Sequence, residues 1–564
     1  MTTLQTELNE ASQCLDIADT LVKKSLRWLK AECTGGKGIA NDKLDRHQLA
    51  SFDLSWCAAE VTGARLAISY AAEVATATAG TQDDASLEQQ IALAFCAEAL
   101  QNIRNRLWAR PRNFGLSDAE MATLASERVA HFCQTELDVA RLEALGERVM
   151  ARDGACGAYL LSDDALMMQE SFRKLATNVV APLAESIHRE DRIIPAEILE
   201  PLTEMGCFGL SIPERFGGIQ SNDHEDNMGM IVVTEELSRA SLGGAGSLIT
   251  RPEIVARALL KGGTEAQRQK WLPQIAVAAP LCAVAVTEPD AGSDVAALRL
   301  KATKCAGGWR LNGVKTWCTM AGKAGLLLVV ARTNPDPSLG HKGLSMFLVE
   351  KDSYEGHDWE FKQPDGAEPG GVLTGRAIST IGYRGMHSYE VHFDNVFVPD
   401  DNLVGGPEGE GKGFYYTMAG FAGGRIQTAA RAIGLMQAAF DRAVSYAKER
   451  KTFGKPIGEY QLTLFKIARM AMLLTVSRQF TYAVGRLMDK GEGQMEASMV
   501  KLFTCRTAEW LTREAMQIHG GMGYAEEYAV SRYFLDARVL SIFEGAEETL
   551  ALKVIARSLV ESAE

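Results

Sequence analysis

The sequence predicts a multidomain α+β protein, with helical domains at both ends and an antiparallel β-barrel or sandwich between them. Three observations carry this expectation. The 564 residues exceed what one hydrophobic core usually covers, so three or four domains are expected. The hydrophobic period is helical up to about Pro280 and changes at Cys282 to short runs rich in β-formers. Those runs follow one another without intervening helices, which argues against a βαβ sheet. The expected domains are a helical extension at 1–160, a second helical domain at 161–280, a β domain at 281–407 and a helical bundle at 408–564.

Taken in order, the first 33 residues read as an amphipathic helix stopped at Gly35-Gly36. Segments 42–79, 87–109 and 117–150 repeat the pattern, with apolar residues three and four apart and polar faces of Arg, Glu and Gln. This block carries no catalytic constellation and reads as a module for packing or assembly. Ser162-Asp163-Asp164 is an N-cap signal that opens the second helical block, which contains the turn-rich stretch 212–218. Strands are expected at 282–286, 298–304, 309–316 (after the hairpin signal Gly307-Gly308), 326–331, 344–349 and 390–398, and polar loops at 334–343 and 352–371. From Gly411 the chain is helical again. Ile426, Ala429, Ile433, Met436, Phe440 and Val444 make one core stripe, and 461–490 and 494–519 read as two further long helices, the second closed by Gly520-Gly521. Short connections between them predict a four-helix bundle.

The totals narrow the function. Apolar residues make up 46% and charged residues 23%, enough material for several buried cores. A net charge of -13 argues against nucleic-acid binding as the main activity. Eleven cysteines without CxxC or zinc-type spacing point to a reducing cytoplasm, and no metal is implied. No segment reaches the roughly 20 apolar residues of a membrane span.

Glu544, in Val539-Leu540-Ser541-Ile542-Phe543-Glu544-Gly545, is the first chemical candidate. A carboxyl group in apolar surroundings suits a general base near neutral pH. It reads equally as a helix-start acid beside Glu547 and Glu548. Thr287-Glu288-Pro289-Asp290-Ala291-Gly292-Ser293-Asp294 leaves a strand through Pro and Gly and exposes N–H groups to a ligand. Trp317-Cys318-Thr319 sets a flat ring next to a hydroxyl at a strand end, although a tryptophan there is also ordinary core, as is Cys318. Glu449-Arg450-Lys451-Thr452-Phe453-Gly454-Lys455 is either a solvated helix end or an arginine aimed at a pyrophosphate with a phenylalanine on a ring. Gln517-Ile518-His519-Gly520-Gly521-Met522-Gly523-Tyr524 allows close backbone approach, or caps a helix.

In this order and spacing, the five motifs resemble the acyl-CoA dehydrogenase family of flavoproteins over about 70% of the chain, from Asp163 to Leu559. The resemblance implies FAD held between the β domain and the C-terminal bundle. It implies that Val286, Thr287, Gly292 and Ser293 meet the flavin and thioester region, and that Trp317 and Thr319 lie against the isoalloxazine. It further implies that Arg450, Phe453 and Gln461 reach the FAD of a neighbouring subunit, with Gln517, Gly520 and Gly521 at its adenosine diphosphate, so that the protein is a homodimer or homotetramer. Glu544 becomes the base that takes the α-proton of an acyl-CoA, with its own N–H and a flavin ribityl hydroxyl polarising the carbonyl. Ser293, Arg425 and Gly545 become substrate contacts, and electron-transfer flavoprotein the electron acceptor. The alternative base position of some family members, directly before Arg425, is here Gly424. Ala546, Glu547 and Glu548 depart from the family pattern of Thr, Ser and Gln, which unsettles the flavin contacts expected at 546 and 548.

The extension, with Ser247–Glu253 and Ile381–Glu390, is similar to family members acting on a short, branched, dicarboxylic acyl-CoA, which implies methylsuccinyl-CoA as substrate. A buried carboxylate needs a cation, and Arg251 is the candidate, a structural ion pair being its other reading. Rival readings are an acyl-CoA of another short chain, an acyl-CoA oxidase on the same scaffold, and a non-catalytic assembly or nucleic-acid-binding relative.

Overall fold

The computed structural model describes residues 3–36, 38–77, 85–364 and 369–564. They fall into two compact units, one of Met167–Gln427 and one joining Met1–Leu166 to Thr428–Glu564. Thr78 and Ala79, the end of the helix expected at 42–79, lie outside the described residues, as do Met1, Thr2 and residues 365–368 of the loop expected at 352–371. No described helix is long and apolar enough to cross a membrane.

The Met167–Gln427 unit is built on one eight-stranded sheet: β1 (Cys282–Ala285), β2 (Lys301–Cys305), β3 (Gly308–Thr319), β4 (Leu326–Arg332), β5 (Leu344–Glu350), β6 (Asp358–Lys362), β7 (Val372–Ala377) and β8 (Ser388–Pro399). Their order is β1-β4-β2-β3-β8-β7-β6, with β5 also on β4. Most pairs are antiparallel, as expected, but β4 pairs in parallel with β1 and β2. The run Leu326–Ala331 is apolar throughout because both faces of β4 are covered. Leu327, Val329 and Ala331 enter a core with Trp359, Leu373 and Tyr389. Leu326, Leu328 and Val330 face Val255, Leu259 and Trp271, from helices Thr250–Gly262 and Glu265–Ala276.

The loop expected at 352–371 is corrected: β6 lies within it and β7 follows it. On β6 only Trp359 is buried and Asp358, Glu360 and Lys362 face water, so an edge strand reads as polar loop.

In the other unit, the expected core stripe from Ile426 to Val444 is buried on the Gly413–Glu449 helix, of which residues from Thr428 onward belong here. The helix expected at 117–150 is three: Asp118–Thr123, Glu127–Glu136 and Val139–Ala151. Ser117 and Glu120 form a capping box at the expected start, and Asp138 caps the last of the three, so a local N-cap interrupts a continuous period. The N-terminal extension shares a core with the C-terminal helices. Phe95 meets Phe503 edge-on at 5.7 Å. Gly146 lies so close to the Leu464 carbonyl that a Cβ would come within 2.3 Å of its oxygen. Arg469 clasps Glu98 through two hydrogen bonds of 2.8 and 2.7 Å. Glu60 is buried there with only Asn102 donating to it, at 3.0 Å, and burial pushes its carboxyl up to about 8.

Candidate active site

Val286, Thr287, Gly292, Ser293, Trp317 and Thr319 lie at or just beyond one end of β1 and β3. After β1 the chain turns through a Glu288–Ala291 bridge. Glu288 is buried and accepts from the Arg299 and Leu300 N–H groups at 2.7 and 2.8 Å and from Lys315 Nζ at 2.7 Å. Lys315, fully buried on β3, also donates to the Val286 carbonyl at 2.8 Å, and the Thr316 N–H donates to the Thr287 carbonyl at 2.9 Å. Burial draws the Lys315 ammonium below its ordinary range, against the opposing pull of Glu288. Val286 is thereby held inside while Gly292 and Ser293 stand exposed. The sequence motif gives Glu288 no role and does not include Lys315, whose signal is a lysine at a buried position of an otherwise amphipathic strand.

At Trp317 the β3–β8 register slips, Tyr389 facing Cys318 and Val391 facing Lys315. Trp317 takes φ +57°, the left-handed region that a bulky residue adopts at a cost. This bulge turns the ring outward, 54% exposed, so it is not a core tryptophan. Thr319 is buried with its hydroxyl 2.9 Å from that of Ser388. Cys318 is core, its thiol pushed up to about 12 by burial. Arg251 is buried in the first turn of Thr250–Gly262. Glu253, two residues on, is committed to Arg257 at 2.7 Å and to Gln427. Arg425 is half-buried on the Gly413–Glu449 helix, which approaches Thr250–Gly262 closely at Gly420 and Gly423.

In the other unit, Glu544 lies in the turn between helices Ala529–Leu540 and Glu547–Thr549. It is half-buried, with φ +54°, and Gly545 follows at φ +95°. Glu547, not Glu544, opens the helix. Three basic residues hold the turn: Arg431 lies 4.7 Å over the Phe543 ring, Lys501 donates to the Gly545 carbonyl at 2.7 Å, and Arg506 pairs with buried Glu547. None of the three was legible as a site residue; their signal is again a cation within an apolar helical period. The pairing of Glu547 gives that departure from the family pattern a structural role.

Arg450 ends the long helix and is exposed. Lys451–Thr452 and Lys455–Pro456 pair as a hairpin whose two turn residues, Phe453 and Gly454, both have positive φ, 48° and 90°. Such turns favour Asn or Gly, yet Phe453 stands at the tip, 99% exposed. Gln461 is exposed and donates to Glu143 of the extension at 2.9 Å. Gln517 is exposed in the last turn of Gln494–Ile518, and Gly520, at φ +57°, follows the cap, with open space around it and Gly521. Neighbouring His519 is buried, gives its Nδ1 proton to the Ala515 carbonyl at 2.8 Å and stacks on Tyr446 at 4.3 Å; burial depresses its basicity.

Three of the ten described non-glycine residues with positive φ are thus Trp317, Phe453 and Glu544, all singled out for chemistry. In the Met167–Gln427 unit the outward ring of Trp317 offers a flat apolar surface, and in the other unit exposed Arg450 and the open backbone at Gly520 and Gly521 suit an anionic group.

The chain matches the N-terminal, middle and C-terminal domains of acyl-CoA dehydrogenase over residues 162–278, 283–396 and 411–560. It is 39% identical to (2S)-methylsuccinyl-CoA dehydrogenase of Cereibacter sphaeroides over 562 residues, 98% of each chain. It is 35% identical to a mitochondrial 2-methylacyl-CoA dehydrogenase of Solanum tuberosum over 71% of this chain and 92% of that one. The butyryl-CoA dehydrogenase structure from Megasphaera elsdenii superposes with a TM-score of 0.64 at 30% identity, over 71% of this chain and 99% of that one. The chain is a member of the acyl-CoA dehydrogenase family, oxidoreductases acting on CH–CH bonds.

Proposed function

We propose that the protein oxidises (2S)-methylsuccinyl-CoA to mesaconyl-CoA and hands the electrons to electron-transfer flavoprotein. The observation that carries this reading is the 39% identity to a methylsuccinyl-CoA dehydrogenase along 98% of the chain, extension included, where the other relative and the solved structure span 71%. FAD, the cofactor of the family, supplies the acceptor for the β-hydrogen as hydride. Glu544 removes the α-proton, and its N–H polarises the thioester carbonyl. The left-handed turn, set by Gly545 and the three basic residues, orients that carboxylate. Trp317 walls the cofactor, Thr319 gives it a hydroxyl, and Val286, Thr287, Gly292 and Ser293 line the thioester side. Arg425 and Gly545 touch substrate. Phe453 and Leu462, 99% and 68% exposed, with Arg450, reach a second copy of the chain, which makes the working form at least a homodimer. Gln517, Gly520 and Gly521 receive its adenosine diphosphate. All eleven cysteines are free thiols, which suits a reducing cytoplasm.

Arg251, buried and cationic, pairs with the free carboxylate of the substrate. The experiment is flavin bleaching by a panel of CoA esters with wild type and Arg251→Met. Methylsuccinyl-CoA should bleach wild type fastest, and the variant should raise its KM by roughly 100-fold, the loss of one buried charge pair, with butyryl-CoA little changed. Equal effects on both esters would remove Arg251 from the pocket, and a colourless protein that takes up no FAD would end the reading.

A further inference from the structure

Away from these residues, Asp191, His357 and His387 bring one carboxylate and two imidazoles together, their ligand atoms all within 4.8 Å of one another. They come from three segments: the turn after helix Ala181–Arg189, the approach to β6, and the residue before β8. Spacing in the sequence does not show them as a set.

The hydrogen bonding fixes what the site offers. The Gly385 carbonyl can only accept, so the 3.2 Å contact with His387 Nδ1 puts the proton of the neutral ring on Nδ1. Its Nε2 then presents a lone pair to the Asp191 carboxylate at 3.2 Å and to His357 Nε2 at 3.1 Å. A lone pair facing a carboxylate is repulsive unless a cation or proton lies between. An imidazole that gives Nδ1–H to a backbone carbonyl and turns Nε2 outward is the second-shell arrangement of metal-ligating histidines.

We propose that Asp191, His357 and His387 form a binding site for one divalent transition-metal ion, with zinc as the best chemical match. Two ligand atoms about 2.0–2.1 Å from one tetrahedral zinc stand roughly 3.3 Å apart, close to the 3.1 and 3.2 Å found. His357 Nε2 lies 3.9 Å from the second Asp191 oxygen, a gap that rotation of the partly exposed carboxylate closes. Water fills the fourth position.

The backbone holds the ligands ready. Gly385, at φ +108°, is pressed so closely on Gly243 and Ile187 that a Cβ would come within 2.7 and 2.9 Å of them. The Asp191 turn is itself left-handed, φ +54°. Tyr389 Oη donates to the Gly356 carbonyl at 2.8 Å, beside His357. Arg384, 3.5 Å from Asp191, offsets part of the carboxylate charge, so most of the affinity rests on the imidazoles. The ion ties the helical segment to the sheet one residue from Ser388, whose hydroxyl meets Thr319.

The test uses purified full-length protein, stripped with chelator, equilibrated with zinc chloride, desalted and assayed for zinc. Wild type should retain about one ion per chain and show tetrahedral absorption bands when cobalt replaces zinc. His387→Ala and His357→Gln should each retain at least about tenfold less. His357 is largely exposed, so its replacement leaves the fold intact and keeps the test valid should His387→Ala misfold. Retention below roughly a tenth of an ion per chain by wild type overturns the proposal. Retention unchanged in His357→Gln also overturns it, since the zinc would then sit elsewhere.

Discussion

Beneath the 287–294 loop, Lys315 and Glu288 are both buried and meet each other, and through them three backbone groups of the loop and its flanks are satisfied. The Glu544 turn is held differently: Arg431 on a ring face, Lys501 on a carbonyl and Arg506 on a neighbouring carboxylate act at three separate points. The first device concentrates the load in one ion pair, and the second spreads it. A loop that only presents N–H groups and hydroxyls tolerates such rigidity. A turn that must hold a carboxylate in left-handed backbone needs several small restraints, because strain persists only where the surroundings over-determine it.

The largest effect expected on the turn is chemical. Glu544→Gln should keep the yellow flavin and a near-native melting curve while kcat falls at least about 10³-fold, since the isosteric amide cannot take a proton. Full turnover would move the base elsewhere. On the loop the largest effect is structural. Lys315→Met leaves Glu288 buried without its cation and should cost about 3–5 kcal/mol in denaturant unfolding. A loss below about 1 kcal/mol would show that the two backbone N–H donors alone hold Glu288.

A third prediction concerns the shared core of the extension and C-terminal helices. Glu60 titrates near 8 when folded, above its ordinary 4.5, so the folded state binds the extra proton. Stability on its account is unchanged below about pH 4.5, falls as pH rises toward 8 and stays low beyond. Glu60→Gln should therefore match wild type at pH 4 and exceed it by a few kcal/mol at pH 9, read from paired melts. A constant difference across pH would contradict the buried neutral carboxyl. The smallest effect is at the hairpin tip: Phe453→Asn should stabilise the chain by up to about 1 kcal/mol, because Asn accepts positive φ, while weakening FAD retention. Unchanged retention would leave the exposed phenylalanine without a cofactor role.

Much of this was legible beforehand for identifiable reasons. The stripe from Ile426 to Val444, the helix over the first 33 residues and the apolar strands follow from period and end signals, which are local. The edge strand β6 and its neighbour β7 are not legible as strands because half-exposed strands carry too few apolar residues to announce themselves. The 117–150 segment reads as one helix because its apolar period runs on past Asp138, whose side chain caps a new helix. Lys315, Arg431 and Lys501 escaped notice because a cation's burial depends on what the chain folds against it.

The sequence by itself determined which family the chain belongs to and which residues are the candidates for its chemistry, since side-chain identity and spacing are written there directly. Only the tertiary structure decided that Trp317 points outward from a bulge, that Glu544 sits in a left-handed turn, and that the extension shares a core with the C-terminal helices. The same holds for Asp191, His357 and His387, distant in the chain and adjacent in the fold. Backbone sign and long-range proximity arise from packing, where many weak contacts overrule local preference, and no window of neighbouring residues encodes them.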